Sequence, residues 1–433
     1  MTNYSKSFLY FICMVSAMGG LLFGYDWVVI GGAKPFYELY FGITDDPVMQ
    51  GVAMTTALVG CLVGAMVAGA AADKYGRKPL LMVSAVLFTV SAIATGLFND
   101  FTLFNIARFI GGIGIGVASA LAPMYIAEVS PAEIRGRMVS LNQMTIVLGI
   151  LSAQIVNMLL ARETSVPENQ VWNAEWGWRW MFWAETLPAG LFLIMSFFIT
   201  ESPVFLALKR GTATKSQHTE QAGLGTLFRK KYATVLLLGL VIAVFQQWCG
   251  TNVIFNYAQE IFVSAGFDVD GMFINIVITG IANVVFTFVA LYTIEKWGRR
   301  TLMLIGAGGL GCIYLVLGVC YYLGVTGVLM VVLVVAAISV YAMTLGPVTW
   351  TLLAEIFPNH IRGIAMATCT FALWVGCCTL TFSFPSMNAV LGSSGTFWIY
   401  SAICICAFVF LFLRCPETKG KSLEELEKEL VKN

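Results

Sequence analysis

Charge is scarce in this sequence. Asp, Glu, Lys and Arg make up 11% of 433 residues, against roughly 25% in a soluble domain, so no water-facing surface can be built around the 58% that is hydrophobic. Net charge is scarce too: at +1 there is no excess cation to neutralise phosphates, which excludes nucleic acid as a partner. There are two histidines, His218 and His360, both in polar segments, and no C-x-x-C, so no familiar metal-ligand set can be assembled. Neither histidine falls in an apolar run and no nucleophile stands beside a base, so the chain does not read as a membrane-embedded enzyme and implies no cofactor or metal. Most of the eleven cysteines lie inside apolar stretches such as those around Cys13, Cys61, Cys312 and Cys404, where they act as small hydrophobes rather than a disulfide scaffold. No cleavable leader is evident either. The first apolar run, from Phe8 to Ile30, is too long for a signal-peptide core and lacks an A-x-A site, so it reads as a retained span.

What is present is hydropathy in blocks. Spans are expected near 8–30, 51–71, 79–98, 101–126, 140–161 and 180–199, then near 235–257, 271–293, 302–323, 327–353, 363–384 and 396–413. Twelve spans of about 20 residues account for roughly 55% of the chain, in line with its hydrophobic content. The expected fold is an all-α membrane protein of twelve transmembrane helices in two six-helix bundles. The domains are a bundle over 1–208, a cytoplasmic linker over 209–232, a bundle over 233–414 and a cytoplasmic tail over 415–433. Of the 25 lysines and arginines, all but Lys34, Arg108, Arg162 and Arg179 fall in the termini and the loops on their side. The positive-inside rule therefore puts both termini in the cytoplasm of a multi-pass protein in the plasma membrane, with the lipid bilayer as its first partner.

The halves repeat one another. Asp73-Lys-Tyr-Gly-Arg-Lys78 returns as Glu295-Lys-Trp-Gly-Arg-Arg300; Glu128-Val-Ser-Pro-Ala-Glu-Ile-Arg135 returns as Glu355-Ile-Phe-Pro-Asn-His-Ile-Arg362; Glu201 returns as Glu417. The copies lie roughly 220 residues apart, in the same order and on the same side, which describes a parallel duplication related by a pseudo-two-fold axis. Acids at helix ends facing arginines of the other bundle would form a cytoplasmic latch that holds only while the halves are closed there. Its expected members are Asp73, Arg77, Glu128, Arg135, Glu201, Glu295, Arg299, Glu355, Arg362 and Glu417.

Together with Gly19-Gly-Leu-Leu-Phe-Gly-Tyr-Asp26, Arg108, Pro123-Met-Tyr-Ile-Ala-Glu-Val-Ser-Pro131, Gly177-Trp-Arg-Trp-Met-Phe182, Glu201-Ser-Pro203, Gln246-Gln247 with Asn252, Gly346-Pro347 with Trp350, and Pro416-Glu-Thr-Lys-Gly420, these loops make the sequence resemble the sugar porter family of the major facilitator superfamily. The resemblance covers nearly the whole chain. It implies the major facilitator fold, a substrate site between two bundles at mid-membrane, alternating access, and a monosaccharide, hexose or pentose, as substrate for a chain acting as a monomer. Four places depart from the family pattern: Val204 replaces an arginine after Glu201-Ser-Pro203, the central linker is short, and Leu373 and Asn256 stand where the family has a polar and an aromatic residue.

Polar side chains within apolar spans mark the candidate site. Gln246, Gln247, Asn252 and Asn283 offer donors and acceptors without charge, as a sugar needs, and the resemblance assigns the same four to the sugar. It adds Gln143 as the contact from the first half. Trp350, after the helix-breaking Gly346-Pro347, and Trp374 offer faces for the C–H side of a pyranose. Trp176, Trp178, Trp180 and Trp183 read as an interfacial belt. The Gly306-Ala-Gly308-Gly-Leu-Gly311 run matches a dinucleotide fingerprint, but no strand precedes it, so it reads as helix packing. Asp26, Arg108 and Glu185 sit at similar depth in the first bundle, and an acid there is expected to be paired or functional. The resemblance favours proton coupling, with the proton as co-substrate; an uncoupled sugar uniporter is the alternative, and a non-transporting sensor a lesser one given the short tail.

Overall fold

The computed structural model describes residues 5–131, 134–210, 227, 231–358, 361–420 and 425–426, apart from the side chains of 136, 208 and 295. Most of the linker expected over 209–232, most of the tail beyond Gly420, and His218 and His360 lie outside the described residues. The chain forms two compact units, Met1–Thr214 with Val269–Gly280, and Lys215–Asp268 with Ile281–Asn433. The first contains α1 (Lys6–Phe41), α2 (Pro47–Tyr75), α3 (Arg77–Leu97), α4 (Phe101–Val129) and α5 (Arg135–Leu160). A sixth span follows in pieces: α6 (Pro167–Trp172), a π turn (Asn173–Gly177), α7 (Trp178–Ala184) and α8 (Thr186–Ser196). The short α9 (Pro203–Lys209) closes this half. The second half runs α10 (Ala233–Trp248), α11 (Thr251–Asn256), α12 (Ala258–Ser264), α13 (Val269–Trp297), α14 (Arg299–Tyr322), α15 (Val328–Met343), α16 (Leu345–Ile356) and α17 (Arg362–Arg414).

Local chemistry sets the starts of the first helices. Asp46 accepts from the backbone N–H groups of Val48 and Met49 at 3.0 and 3.1 Å ahead of Pro47, and Asp100 accepts from Leu103 N–H at 3.0 Å; both satisfy donors that a helix start leaves open. Packing of the long helices is backbone against backbone. A side chain added at Gly60 or Gly112 would strike a carbonyl across the α2/α4 contact, and one at Gly24 or Gly149 a carbonyl across α1/α5. Small residues are what permit such approach in lipid, where no hydrophobic force drives helices together.

Among the described residues, ten helices are long and apolar enough to cross a membrane. α17, at 53 residues, would be about 80 Å long as one helix against a hydrocarbon core of about 30 Å. It departs from helix at Gly392 (φ 66°, ψ 174°), which divides it into two spans. With the broken sixth span the count is twelve, in two six-helix bundles.

Three boundaries differ from the sequence expectation. Span one continues past 30 to Phe41, because Lys34 and Glu38 are buried and pair one turn apart at 3.1 Å, so the charges that end the hydropathy block do not end the helix. Asp26 therefore stands 15 residues, about 22 Å, from its helix end rather than near it. The seventh span breaks at Gly250 (φ 84°) and the tenth at Thr344 (φ −123°, ψ −90°); hydropathy runs smoothly through both. The expected tryptophan belt is also corrected: Trp176 and Trp180 are exposed, but Trp178 is fully buried, its ring 5.5 Å from Tyr40 and 5.9 Å from Phe104. It is core.

Gly250 carries both a left-handed backbone and a crowded site, since a Cβ there would come within 3.0 Å of the Tyr400 ring. Gly324 (φ 68°) has the backbone strain alone, with open space around it. Gly324→Ala should cost about 1–2 kcal/mol of stability and Gly250→Ala clearly more; thermal unfolding of the purified protein in detergent checks the order, and equal costs would contradict the packing.

Candidate functional site

The break at Gly250 brings together side chains that a straight helix would separate. Gln246 and Gln247 end α10 and Asn252 opens α11. Across the break the Asn252 amide donates to Gln247 Oε1, Gln247 Nε2 donates to Gln246 Oε1 at 2.6 Å, and Gln246 Nε2 donates to the Tyr341 hydroxyl at 2.6 Å. Asn252 Nδ2 also lies 3.9 Å from Cys377 Sγ on α17. All three amides are buried. Of the other expected members, Asn283 on α13 is buried, with its backbone carbonyl accepting from Thr287 at 2.7 Å. Trp374 is buried, whereas Trp350 is 39% exposed, on the side of α16 away from its buried residues Val348, Thr349, Leu352 and Leu353. Trp350 is thus not packed into the core of its unit. Asn256, in place of an aromatic, is buried with Oδ1 unpartnered among the described residues.

In the first unit, Arg108 on α4 donates through Nη1 to Asp26 Oδ1 and through Nη2 to the Asp26 carbonyl at 3.3 Å. Its guanidinium lies over the Phe182 ring at 5.2 Å. Glu185, at the joint between α7 and α8, is buried in Coulombic reach of both Asp26 and Arg108. Each of the three is at most 2% exposed. With both carboxyls ionised this buried cluster carries a net charge of −1, one acid more than the guanidinium neutralises. Gln143 on α5 is half-buried.

The charged loops form one construction built twice. Arg77 Nε and Nη2 hold Glu128 at 3.0 Å each, and Asp73 stands 3.5 Å from the same guanidinium. Glu201 accepts from the backbone N–H groups of Arg77 and Lys78 at the start of α3, at 2.9 and 3.3 Å, while Ser202 donates to Glu128. In the second half Arg299 Nη2 holds Glu355 at 2.9 Å, Glu417 accepts from the N–H groups of Arg299 and Arg300 at 2.9 and 3.1 Å, and Thr418 donates to Glu355 at 2.5 Å. Arg135 donates to the Ser130 carbonyl at 3.4 Å and Arg362 to the Phe357 carbonyl at 3.3 Å, each a cation at the end of the preceding helix. Each described ion pair joins residues of one half. The reason is local, since an acid held over the open N–H groups of a helix start two loops away is already satisfied. The Glu295 side chain lies outside the described residues.

Sequence reasoning missed Tyr341, whose half-apolar character hides it in an apolar run. It also missed Gln154 and Asn157, three residues apart on α5, although mid-span amides were the signal that marked Gln246. Asn157 donates to the Val29 carbonyl at 3.0 Å; Gln154 Oε1 is buried and unpartnered among the described residues.

A model of the family described as "Sugar (and other) transporter" matches residues 12–217 and 209–430. The chain is 35% identical over 454 residues to an arabinose-proton symporter of Bacillus subtilis, covering 99% of this chain and 97% of that one. It is 34% identical over 478 residues to a D-xylose-proton symporter of Escherichia coli, covering 98% and 96%, and 30% identical to a glucose facilitated diffusion protein of Zymomonas mobilis, covering 96% of each. The inward-open structure of the E. coli xylose transporter is similar over 98% of this chain and 100% of that one, with a TM-score of 0.84 and 33% identity.

The charged cluster makes a prediction independent of any substrate. Asp26→Ala or Glu185→Ala alone leaves Arg108 one carboxylate, whereas the double variant strands a buried guanidinium at a cost of about 3–5 kcal/mol. Chemical denaturation of the purified variants should show the double loss exceeding the sum of the single losses; simple additivity would show that the three groups do not act together.

Proposed function

Because the chain belongs to the sugar transporter family, we propose that it carries a monosaccharide together with a proton across the plasma membrane, as a monomer with both termini in the cytoplasm. The observation that carries the coupling is the surplus carboxyl: Asp26 bonds the single guanidinium of Arg108 while Glu185 stands buried in Coulombic reach of both. A permanent Asp26–Arg108 brace would need no third member. With one, a proton arriving at Asp26 dissolves its charge-assisted bond to Arg108, and Glu185 takes over the guanidinium, so the cation is at no point left alone in the membrane. Asp26 is then the proton carrier, Arg108 the group whose pairing records its charge, and Glu185 the stand-in. The activities of the arabinose- and xylose-proton symporters support this reading; that of the Zymomonas protein makes uncoupled transport the outcome to be separated from it.

The amides Gln246, Gln247, Asn252 and Asn283 are proposed to hold the sugar hydroxyls, with Gln143 contributing from the first half and Trp374 and Trp350 offering ring faces. The domain division at 1–208, 209–232, 233–414 and 415–433 is kept as part of the same reading. The duplicated loop networks of Arg77 with Glu128 and Glu201, and Arg299 with Glu355 and Glu417, are proposed to stiffen each bundle so that alternating access moves it as a body.

Reconstituted into liposomes, the wild type should accumulate D-xylose, L-arabinose or D-glucose by up to about tenfold per unit of pH gradient at one proton per sugar, the equivalent of 1.36 kcal/mol. Asp26→Asn should bind the sugar and exchange it across the membrane yet fail to accumulate it. Accumulation by Asp26→Asn equal to the wild type would remove Asp26 from coupling, and sugar entry in the wild type that ignores the gradient would make the protein a uniporter.

A further inference from the structure

The three amides of the second unit form a chain with a direction. Asn252 donates to Gln247, Gln247 to Gln246 and Gln246 to Tyr341. A primary amide is symmetric in shape and asymmetric in chemistry, so its orientation is set only by what it bonds. Gln246 and Gln247 each spend their carbonyl oxygen within the chain. What remains at one end is the Asn252 carbonyl oxygen, an acceptor, and at the other the hydroxyl hydrogen of Tyr341, a donor. Tyr341 lies in the last turn of α15, two residues before its final Met343 leads into the break at Thr344, and its backbone carbonyl accepts from Thr344 N–H at 3.1 Å. Its ring lies beside Gly346, 3.4 Å from where a Cβ would stand. The ring is thus held by the break while the hydroxyl reaches α10. The Asn252 end of the chain lies against Cys377, at 3.9 Å from its sulfur.

Resting on the sugar-transport reading, we infer that Tyr341 determines sugar specificity: its hydroxyl terminates the amide chain, fixes which way Gln246 and Gln247 face, and presents a donor to one sugar hydroxyl. A phenylalanine in its place would keep the ring packing and remove only the hydroxyl, and with it both the acceptor of Gln246 and the donor to the sugar. The buried Gln246 amide would then be left to turn toward another partner, and Gln247, whose only fixed neighbour in the chain is Gln246 on that side, would turn with it. Tyr341 acts partly through these amides and is a positioning residue as well as a contact.

The test uses the full chain in detergent, with D-xylose and its 2-, 3- and 4-deoxy analogues titrated calorimetrically into the wild type and Tyr341→Phe, and thermal unfolding recorded for both. The wild type should bind at least one deoxy analogue about tenfold more weakly than D-xylose, as loss of a hydroxyl from a hydrogen-bonding site implies. In Tyr341→Phe that ratio should fall to about twofold or less, while D-xylose itself weakens about tenfold, the size of one lost hydrogen bond. Gln246→Ala cuts the same link from its other side, and combining it with Tyr341→Phe should add less than about twofold to the larger single effect. A discrimination ratio unchanged in Tyr341→Phe, or fully additive effects in the double variant, overturns the inference while leaving sugar transport standing. Failure of the wild type to bind D-xylose, L-arabinose and D-glucose overturns both.

Discussion

Arg108 cannot lose its charge in a protein, and in this chain it is buried among helices that face hydrocarbon. That constraint organises the first bundle. An unpaired cation at such a depth costs at least about 2.5–3.5 kcal/mol on insertion scales, so α4 must keep an anion within reach through every arrangement the protein adopts. Asp26 on α1 supplies it, and Glu185 supplies a second from the joint of α7 and α8, a place where the helix is already interrupted and a side chain can be aimed across the bundle. The Phe182 ring, under the guanidinium at 5.2 Å, excludes water from one face and strengthens the electrostatic ties of the other. One cation between two acids is an arrangement that a static brace does not need and a proton carrier does.

The second bundle solves a different problem by breaking its helices. A backbone in hydrocarbon must satisfy its own hydrogen bonds, so an interruption is tolerated only where something is gained. At Gly250 the gain is that Gln247 and Asn252 meet, and at Thr344 it is that Tyr341 is held at the end of α15 within reach of Gln246. Both interruptions therefore flank the same amide chain. The charged loops do the opposite. Glu201 and Glu417 sit on the open starts of α3 and α14, and the arginines that follow hold Glu128 and Glu355, so the helix ends that could fray are stapled inside each half.

Much of this was legible in the sequence. Hydropathy located all twelve spans, charge asymmetry and the repeated loops pointed to a duplication, and the rarity of amides and acids in apolar runs singled out Gln246, Gln247, Asn252, Asp26 and Arg108. What hydropathy averages away was not legible. The breaks at Gly250 and Thr344 change φ and ψ without changing polarity, and the extension of α1 to Phe41 depends on Lys34 and Glu38 neutralising each other. Trp178 reads as interfacial by residue type, yet Tyr40, Phe41 and Phe104 bury it. The partners of the loop acids within each half were not legible, because an acid can satisfy a backbone N–H as well as an arginine, and no spacing rule distinguishes the two. Tyr341 carried no mark at all, since its importance lies in one bond to Gln246.

The central claim, that sugar moves with a proton held by the Asp26, Glu185 and Arg108 cluster, is tested most directly by following protons rather than sugar. Proteoliposomes in a weakly buffered medium, at equal pH on both sides and with the membrane potential clamped, are given D-xylose, L-arabinose or D-glucose while external pH and radiolabelled uptake are recorded together. The account predicts that the medium turns alkaline as a transported sugar enters, with one proton consumed for each sugar. Sugar entry without any change in external pH would contradict it.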